Sequence, residues 1–308
     1  MNDVEPTLIY ETVHGSRAYG LGRPDSDEDL KGIIIGPASW YHGFRGGPEQ
    51  FEISPDHVRY EVRKFFRLAA GANPTVLELL WTEADDVRVL AAAGKRLVDA
   101  RDQFLSKRVA SSFGRYALAQ LKRIQTHRRW LLSPPKAEPT RSAFGLPERT
   151  LIPGDQLGAA EALIAQGRLE EAELTPNFIA VLDRERRYRQ ARTEWEQYRN
   201  WQRTRNPTRA ELEGRFGYDT KHAMHMVRLL RMGAEILSTR RVVVRRPDRD
   251  ELLAIRAGAW SYDELMARAQ ELSQKVEHAA VDSVLPEEPD ALALDAFCAS
   301  LVEEVLAC

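Results

Sequence analysis

Short runs in which apolar and polar residues alternate occupy the first part of the chain. Alternation with period two is the pattern of a half-buried β-strand. From Arg63 the apolar residues instead recur at helical spacing, and Asn73-Pro74-Thr75 carries the start signal of a second helix. The predicted strands are Thr7–Val13, Leu30–Ile35, Phe51–Ile53 and Val58–Val62.

Beyond about residue 84 the strand pattern almost disappears, and Val242-Val243-Val244 is the only later strand candidate. We therefore predict an α+β chain. A small N-terminal mixed-sheet domain spans 1–105, and a larger all-α domain with a Pro-rich loop near 133–153 spans 106–308. The predicted helices of the second domain are Lys107–Leu132, Asp155–Gln166, Pro176–Arg205, Tyr218–Thr239, Tyr262–Asp282 and Ala291–Leu306.

The composition is that of an ordinary globular protein. Its formal net charge of −2 over 308 residues favours no class of partner, so any basic surface must be local. Cys298 and Cys308 form neither a disulfide framework nor a zinc pattern, which fits a reduced compartment. The N-terminus shows no leader pattern, and no apolar run is long enough to span a bilayer. We expect a cytoplasmic protein without a membrane partner.

A Gly-Ser turn and a pair of acids carry the strongest chemical signal. Gly15 and Ser16 follow the first predicted strand, and such a turn presents backbone N–H groups and a hydroxyl to a phosphate. Asp27 and Asp29 precede the second strand, where side chains two residues apart point the same way. Two adjacent carboxylates repel each other unless a cation lies between them, which favours Mg²⁺. The pattern predicts a site for a nucleoside triphosphate and two Mg²⁺ ions.

A third carboxylate is expected to complete the metal site. Glu52, Asp56 and Glu61 are the candidates. If the strand at 58–62 runs antiparallel to the strand at 30–35, Glu61 lies beside the acid pair, and we favour it on that condition. A different strand order favours Glu52 or Asp56.

Cations near this site are candidates for phosphate binding. Arg17 and Lys31 border the turn, where positive charge is expected beside a triphosphate, although solvated loop cations are common. Later in the chain, Lys221 and His222 begin a polar stripe on an otherwise apolar helix. The stripe is either a structural hydrogen-bonded face or, if it faces the cleft, a contact to nucleotide. Its other members are His225 and Arg228.

The segment 184–209 is rich in arginine and interleaved with aromatic residues. This composition suits RNA, whose bases stack and whose phosphates pair with arginine. The same spacing is equally typical of a packed helix face with a solvated basic side. The aromatic residues are Tyr188, Trp195, Tyr198 and Trp201.

Several motifs resemble those of RlaP, the RNA-repair-associated branch of the DNA polymerase β-like nucleotidyltransferases. They are GSRAYG at 15–20, DSDEDLKG at 25–32, RKFFRL at 63–68, NPTVLELLW at 73–81, GYDTKHA at 217–223, RLLRMG at 228–233 and LLAIRAG at 252–258. They run in order through most of the chain. The first two motifs are specific for the superfamily, and the others indicate this branch.

The resemblance implies an N-terminal nucleotidyltransferase domain in which Gly15 and Ser16 contact the triphosphate and Asp27 and Asp29 bind Mg²⁺. It implies transfer of NMP from an NTP, such as ATP, to an acceptor hydroxyl, and an association with RNA repair. The match does not fix the acceptor, and we expect an RNA 3′ end. The alternatives are a protein or small-molecule hydroxyl, as in antitoxin-like and aminoglycoside-modifying relatives, and a non-catalytic RNA-binding module. Nothing in the motifs determines the oligomeric state.

Overall fold

The computed structural model describes residues 5–23, 26–150, 152, 158, 162 and 176–307. A five-stranded mixed sheet forms the N-terminal part, in the order β3-β4-β2-β1-β5. β3 and β4 form a hairpin, and β5 lies at the edge beside β1. The strands are β1 Thr7–His14, β2 Asp29–Ile35, β3 Gln50–Ser54, β4 His57–Glu61 and β5 Val87–Leu90.

The pairing of the central strands sets the geometry of one end of the sheet. β1 and β2 are antiparallel, with His14 opposite Asp29, so β1 ends where β2 begins. β2 and β4 are parallel, with Leu30 opposite His57 and Ile34 opposite Glu61. The start of β2 therefore lies beside the end of β1 and the start of β4.

β5 corrects the prediction that strand structure ends near residue 84. Its four residues, Val87–Leu90, are too few for alternation to stand out, and exposed Arg88 breaks the apolar run. Pairing with β1 forms this strand, because an edge strand gains its hydrogen bonds from its neighbour. The other strand candidate, Val242–Val244, has no regular secondary structure and belongs to no sheet.

Helices pack on the sheet and make up most of the remaining described chain. Asn73 caps α4 by accepting from the backbone N–H of Val76, as the Asn-Pro-Thr signal predicts. Short 3-10 turns lie at Glu78–Trp81, Ala84–Asp86, Arg101–Phe104 and Ser142–Phe144. The helices are α1 Gly15–Ala18, α2 Ser39–His42, α3 Val62–Ala70, α4 Pro74–Leu77, α5 Ala92–Asp99, α6 Arg108–Leu132, α7 Pro176–Thr204, α8 Pro207–Phe216, α9 Thr220–Thr239, α10 Arg249–Arg256, α11 Tyr262–Asp282 and α12 Ala291–Leu306.

The chain forms two compact units, one made of Met1–Gln125 with Arg215–Cys308 and the other of Thr126–Gly214. The core of the first unit joins residues of the sheet, such as Ile33, to residues of α3 and α9, such as Phe65 and Met226. These units are defined by the compactness of the chain and do not test the predicted domains. The division into domains at 1–105 and 106–308 stays a prediction.

The second unit has a smaller described core. Trp130 of α6 and Tyr198 of α7 are buried and meet edge to face, with ring centroids 5.7 Å apart. Arg141 forms an ion pair with buried Glu185 and lies over the ring of Tyr188. Residues 133–150 of the predicted Pro-rich loop are irregular apart from one 3-10 turn. Of the predicted helix Asp155–Gln166, only positions 158 and 162 are among the described residues.

The α+β class, with an N-terminal mixed sheet followed by a helical region, is confirmed. Among the described residues, no helix combines the length and apolar character needed to cross a bilayer.

Candidate functional site

The Gly-Ser turn and the acids meet at the start of β2. His14, the last residue of β1, is opposite Asp29, so Gly15 begins its turn directly against that carboxylate. Gly15 has a φ of +68°, and a Cβ at this position would collide with the Asp29 carboxylate. Both facts require glycine, since it alone adopts this φ without strain and leaves room for the carboxylate. The conformation of the turn and the position of the Asp29 carboxylate therefore depend on each other.

Arg17 closes the loop that carries the acids. Its Nη2 donates to the carbonyl of Ser26 at 2.6 Å, and its Nε donates to the carbonyl of Asp27 at 3.3 Å. These bonds connect α1 to the acid-bearing end of the loop. The predicted role of Arg17 toward a nucleotide is untested, but its structural role is visible.

Three carboxylates gather at this end of the sheet. Asp29 is half-buried, whereas Asp27 and Asp56 are exposed. The backbone N–H of Leu30 donates to the Asp56 carbonyl at 2.7 Å, so Asp56 lies beside the first residues of β2. Burial, together with the negative charges of Asp56 and Asp27, raises the pKa of Asp29. Mutual repulsion of this kind is relieved by a divalent cation with oxygen ligands.

The antiparallel pairing that favoured Glu61 as the third acid is wrong. β4 runs parallel to β2, which places Glu61 beside Ile34, roughly 16 Å along the strand from Asp29 at about 3.3 Å per residue. There Glu61 caps α3 by accepting from the backbone N–H groups of Arg63 and Lys64. The structure brings Asp56 to the acid pair and leaves Glu61 at the opposite end of β4. Glu52, on β3, is exposed and pairs with Val58 in the hairpin.

Two of the predicted cations lie close to the acids. Burial lowers the pKa of Lys31, while the charges of Asp29 and Asp56 oppose that shift. The positive charge of Lys221, near the start of α9, also acts on Asp29 and favours its ionised form. Lys31 and Lys221 therefore supply positive charge to the turn from two different elements.

His222 is placed by the cap of α9. Its backbone N–H donates to the carboxylate of Asp219 at 3.0 Å, and its Nδ1 lies 2.7 Å from Oε1 of Gln120. These contacts agree with the structural interpretation of the polar stripe. The predicted contact of His222 with nucleotide is untested.

A buried network behind the turn was not predicted from the sequence. Glu78, fully buried, accepts from Arg228 at 2.9 Å and from the hydroxyl of Tyr19 at 2.5 Å. The guanidinium of Arg228 lies 3.7 Å from the centroid of the Tyr19 ring, and His14 meets that ring edge-on. The network joins β1, the turn and α9. Its one sequence signal is an acid within the apolar run that contains Leu77 and Leu79.

The aromatic residues of α7 pack against one another. Tyr188 and Tyr198 are buried, and the rings of Trp201 and Tyr198 pack at a tilt, with centroids 5.9 Å apart. Several arginines of this helix pair with acids one turn away, as Arg187 does with Asp183. This arrangement supports the packed-face interpretation of the segment.

Residues 2–132 match the sequence model of RlaP, described as the RNA repair pathway DNA polymerase beta family. This range contains the sheet, the Gly-Ser turn and the three acids.

Two curated proteins of unassigned function share part of this sequence. One is the uncharacterized protein YcgL of Bacillus subtilis (strain 168), 33% identical over 85 residues, which are 26% of this chain and 32% of that protein. The other is an uncharacterized 38.9 kDa protein in the nrdC-mobD intergenic region of Enterobacteria phage T4, 28% identical over 119 residues, 34% of this chain and 35% of that protein. The chain thus spans about a third of the length of these relatives. No solved structure matches it significantly. Through residues 2–132 the chain is thus similar to RlaP, the RNA repair pathway DNA polymerase beta family.

Proposed function

We propose that this protein is a Mg²⁺-dependent nucleotidyltransferase that moves NMP from an NTP to the 3′ hydroxyl of an RNA. The observation that carries the proposal is the convergence of Asp27, Asp29 and Asp56 on the Gly15–Ser16 turn. The match to an RNA repair polymerase beta family supports both the donor chemistry and the RNA acceptor.

The donor set fits Mg²⁺. Carboxylate oxygens are the ligands this ion prefers. Burial is the main cause of the raised pKa of Asp29, and the negative charges of Asp56 and Asp27, which a cation would offset, add to it. Asp27, Asp29 and Asp56 would hold two ions. When bound, Mg²⁺ neutralises charge on the triphosphate and on the departing pyrophosphate.

The remaining residues bind and orient the donor. Gly15 and Ser16 offer backbone N–H groups and a hydroxyl to the triphosphate, and Lys31 and Lys221 add positive charge. The acceptor oxygen forms a bond to the α-phosphorus as the bond from that phosphorus to the bridging oxygen breaks. The acceptor hydroxyl loses its proton and pyrophosphate leaves. Alignment of the three groups in line is the main contribution of such a site.

Removing either acid of the pair tests the site. Asp27→Asn and Asp29→Asn are each expected to reduce transfer of radiolabelled NMP by at least about 100-fold, because a metal ligand is lost. Glu28→Gln is the matched control, since Glu28 lies between the two acids but pairs with Arg88. It should retain near-normal transfer. Full transfer by both Asn variants would overturn the site assignment.

The acceptor is identified by where the label goes. The labelled NTP is incubated separately with RNA, protein extract and small-molecule hydroxyl acceptors, and label on RNA alone is expected. Label on protein or on a small molecule would instead support the corresponding alternative. NTP and Mg²⁺ titrations that give no heat, with RNA binding intact, would support a non-catalytic module.

A further inference from the structure

An irregular segment, 241–246, leads from the end of α9 toward the Gly-Ser turn. Exposed and buried side chains alternate along it, so Arg241 and Arg245 are both exposed. Four residues of chain separate them by at most about 13 Å. The exposed side chains of the segment are Arg241, Val243 and Arg245, and the buried ones are Val242, Val244 and Arg246.

A cavity of about 540 Å³ lies at the start of the segment. Three arginines line it, Arg101, Arg240 and Arg241, against a single acid, Asp102. In the part of the chain that the structure describes, none of these arginines forms an ion pair with a carboxylate. The guanidinium of Arg101 lies over the ring of Trp81, at 5.5 Å from its centroid. The cavity combines positive charge with flat π surfaces and is large enough for a nucleotide.

A second cavity, of about 320 Å³, lies at the other end of the segment. Four arginines line it against two acids. Arg245 pairs with Asp86 at 3.0 Å, and Arg88 pairs with Glu28 at 2.8 Å. Arg23 forms no ion pair among the described residues. Positive charge therefore exceeds negative charge here as well.

The segment ends on the turn that carries the proposed phosphate site. The backbone N–H of Arg246 donates to the carbonyl of Tyr19 at 3.1 Å, and Nε of Arg249 donates to the carbonyl of Gly20 at 2.9 Å. A ligand chain bound along the segment would therefore reach the residues that follow Gly15 and Ser16.

We propose that these arginines form a binding track for the phosphate backbone of a single-stranded RNA acceptor. The track consists of Arg101, Arg240, Arg241, Arg245 and Arg23. It extends the proposed function, on which it rests for the identity of the acceptor. The separation of Arg241 and Arg245, at most about 13 Å, spans no more than about four stacked nucleotides at 3.4 Å each.

Single-stranded RNA fits these features better than an acidic peptide. Guanidinium groups form bidentate hydrogen bonds with phosphates and stack on bases through their flat faces. The Arg101–Trp81 pair offers such a face beside the charges, and exposed Val243 adds an apolar contact. A peptide carboxylate also pairs with guanidinium in a bidentate way, but an acidic peptide has no base to stack on these faces.

The test measures RNA binding by the full chain. The probe is a fluorescein-labelled single-stranded RNA of roughly 12 nucleotides, followed by anisotropy over a series of salt concentrations. Arg240→Ala with Arg241→Ala should weaken binding about 10-fold and lower the salt slope by about 1.4, since each phosphate contact to a single strand contributes about 0.7. Arg115→Ala with Arg268→Ala is the control, because it removes the same charge from exposed positions on α6 and α11.

Three results would overturn the track. One is unchanged RNA affinity in the Arg240/Arg241 variant, and another is an equal loss in the Arg115/Arg268 control. The third is binding of poly-glutamate that is as tight as the binding of RNA and is weakened to the same extent in the Arg240/Arg241 variant. Arg240→Gln with Arg241→Gln repeats the measurement if the alanine variant unfolds.

Failure of the proposed function gives a different result. If the wild type transfers NMP to no acceptor but binds RNA through these arginines, the track stands and the transferase proposal fails. If the wild type labels RNA and the Arg240/Arg241 variant keeps the same KM for RNA, the track fails and the transferase stands. The KM for NTP should be unchanged in that variant.

Discussion

At the scale of single residues, His14 shows how closely the turn is packed. Its side chain is buried next to Tyr19, and its Nδ1 has no hydrogen-bond partner among the described residues. Burial, with the positive charges of Lys31 and Arg228, lowers the pKa of His14 to about 3. A neutral imidazole is therefore built into the end of β1, immediately before Gly15.

We expect His14 to make the fold sensitive to acid. The pKa of His14 in the folded state lies below the ordinary value of 6.5. The contribution of neutral His14 to the free energy of unfolding is therefore fully present above pH 6.5 and is lost as the pH falls toward 3. The loss should be roughly 1.4 kcal/mol per pH unit, or about 2 kcal/mol between pH 6.5 and 5. Urea unfolding at these two pH values should show this difference in the wild type and a much smaller one in His14→Asn.

Exposed His278 provides the control. His278→Asn should retain the wild-type dependence on pH. A His14→Asn variant with the same dependence would show that the imidazole is not held neutral.

At the scale of elements, the parallel pairing of β2 and β4 decides which acid joins the pair. The turn between β3 and β4 places Asp56 at the start of β4, beside the start of β2. Glu61 lies at the other end of the strand and stabilises α3, as an N-cap residue does. The two acids therefore lie at opposite ends of β4: Asp56, just before the strand, is beside the acid pair, and Glu61, its last residue, caps α3.

Exchanging each acid for its amide should separate these tasks. Asp56→Asn is expected to lower NMP transfer by at least about 100-fold while leaving the melting temperature near the wild-type value. Glu61→Gln should keep transfer within a few-fold and lower the free energy of unfolding by about 1–2 kcal/mol, through the weakened cap and hydrogen bonds. Radiolabel incorporation and thermal unfolding measure the two effects. The reverse pattern would restore Glu61 as the third acid.

Local pattern predicted most of the elements, because their periodicity is strong. The bounds of α11 and α12 agree with the prediction to the residue, and β1 to β4 lie close to the four predicted strands. β5 was missed since four residues carry too little pattern. The direction of β4 was missed for another reason. It depends on how the β3–β4 hairpin docks on β2, and no local spacing encodes that contact.

The same division applies to the site. The closeness of Gly15 and Asp29 follows from a turn and a strand start that are near in sequence, and their roles stay predictions. Glu78 and Arg228 meet 150 residues apart, so spacing gave no indication of their pairing.

At the scale of the whole molecule, the first compact unit is built from two separate stretches of chain. The family match at 2–132 covers the stretch with the sheet and the acids. The second stretch supplies Lys221, Arg228 and the segment 241–246, which surround the turn. The site is therefore complete only when both stretches have come together.

We expect the folded protein to depend strongly on the Glu78–Arg228 pair when only one of the two partners is removed. Glu78→Gln should lower the free energy of unfolding by about 3 kcal/mol, because it leaves a buried guanidinium without its counter-ion. Adding Arg228→Met should recover part of the loss, since the double variant buries no unpaired charge. Urea unfolding of both single variants and the double variant measures the coupling.

The exposed pair Lys95–Asp99 is the control for this cycle. Asp99→Asn should change the free energy of unfolding by less than about 0.5 kcal/mol. Strictly additive effects of Glu78→Gln and Arg228→Met would contradict the proposed coupling.

On the ribosome, Glu78 emerges long before Arg228, which follows 150 residues later. At 5–20 residues per second, the guanidinium is delivered roughly 8–30 s after the carboxylate. During that interval Glu78, which is buried in the folded protein, has no counter-ion, and the ring of Tyr19 has no guanidinium against it. We therefore expect the turn to reach its final packing only when most of the chain has been synthesised. A prematurely terminated product would carry the Gly-Ser turn and the acids without a correctly formed site.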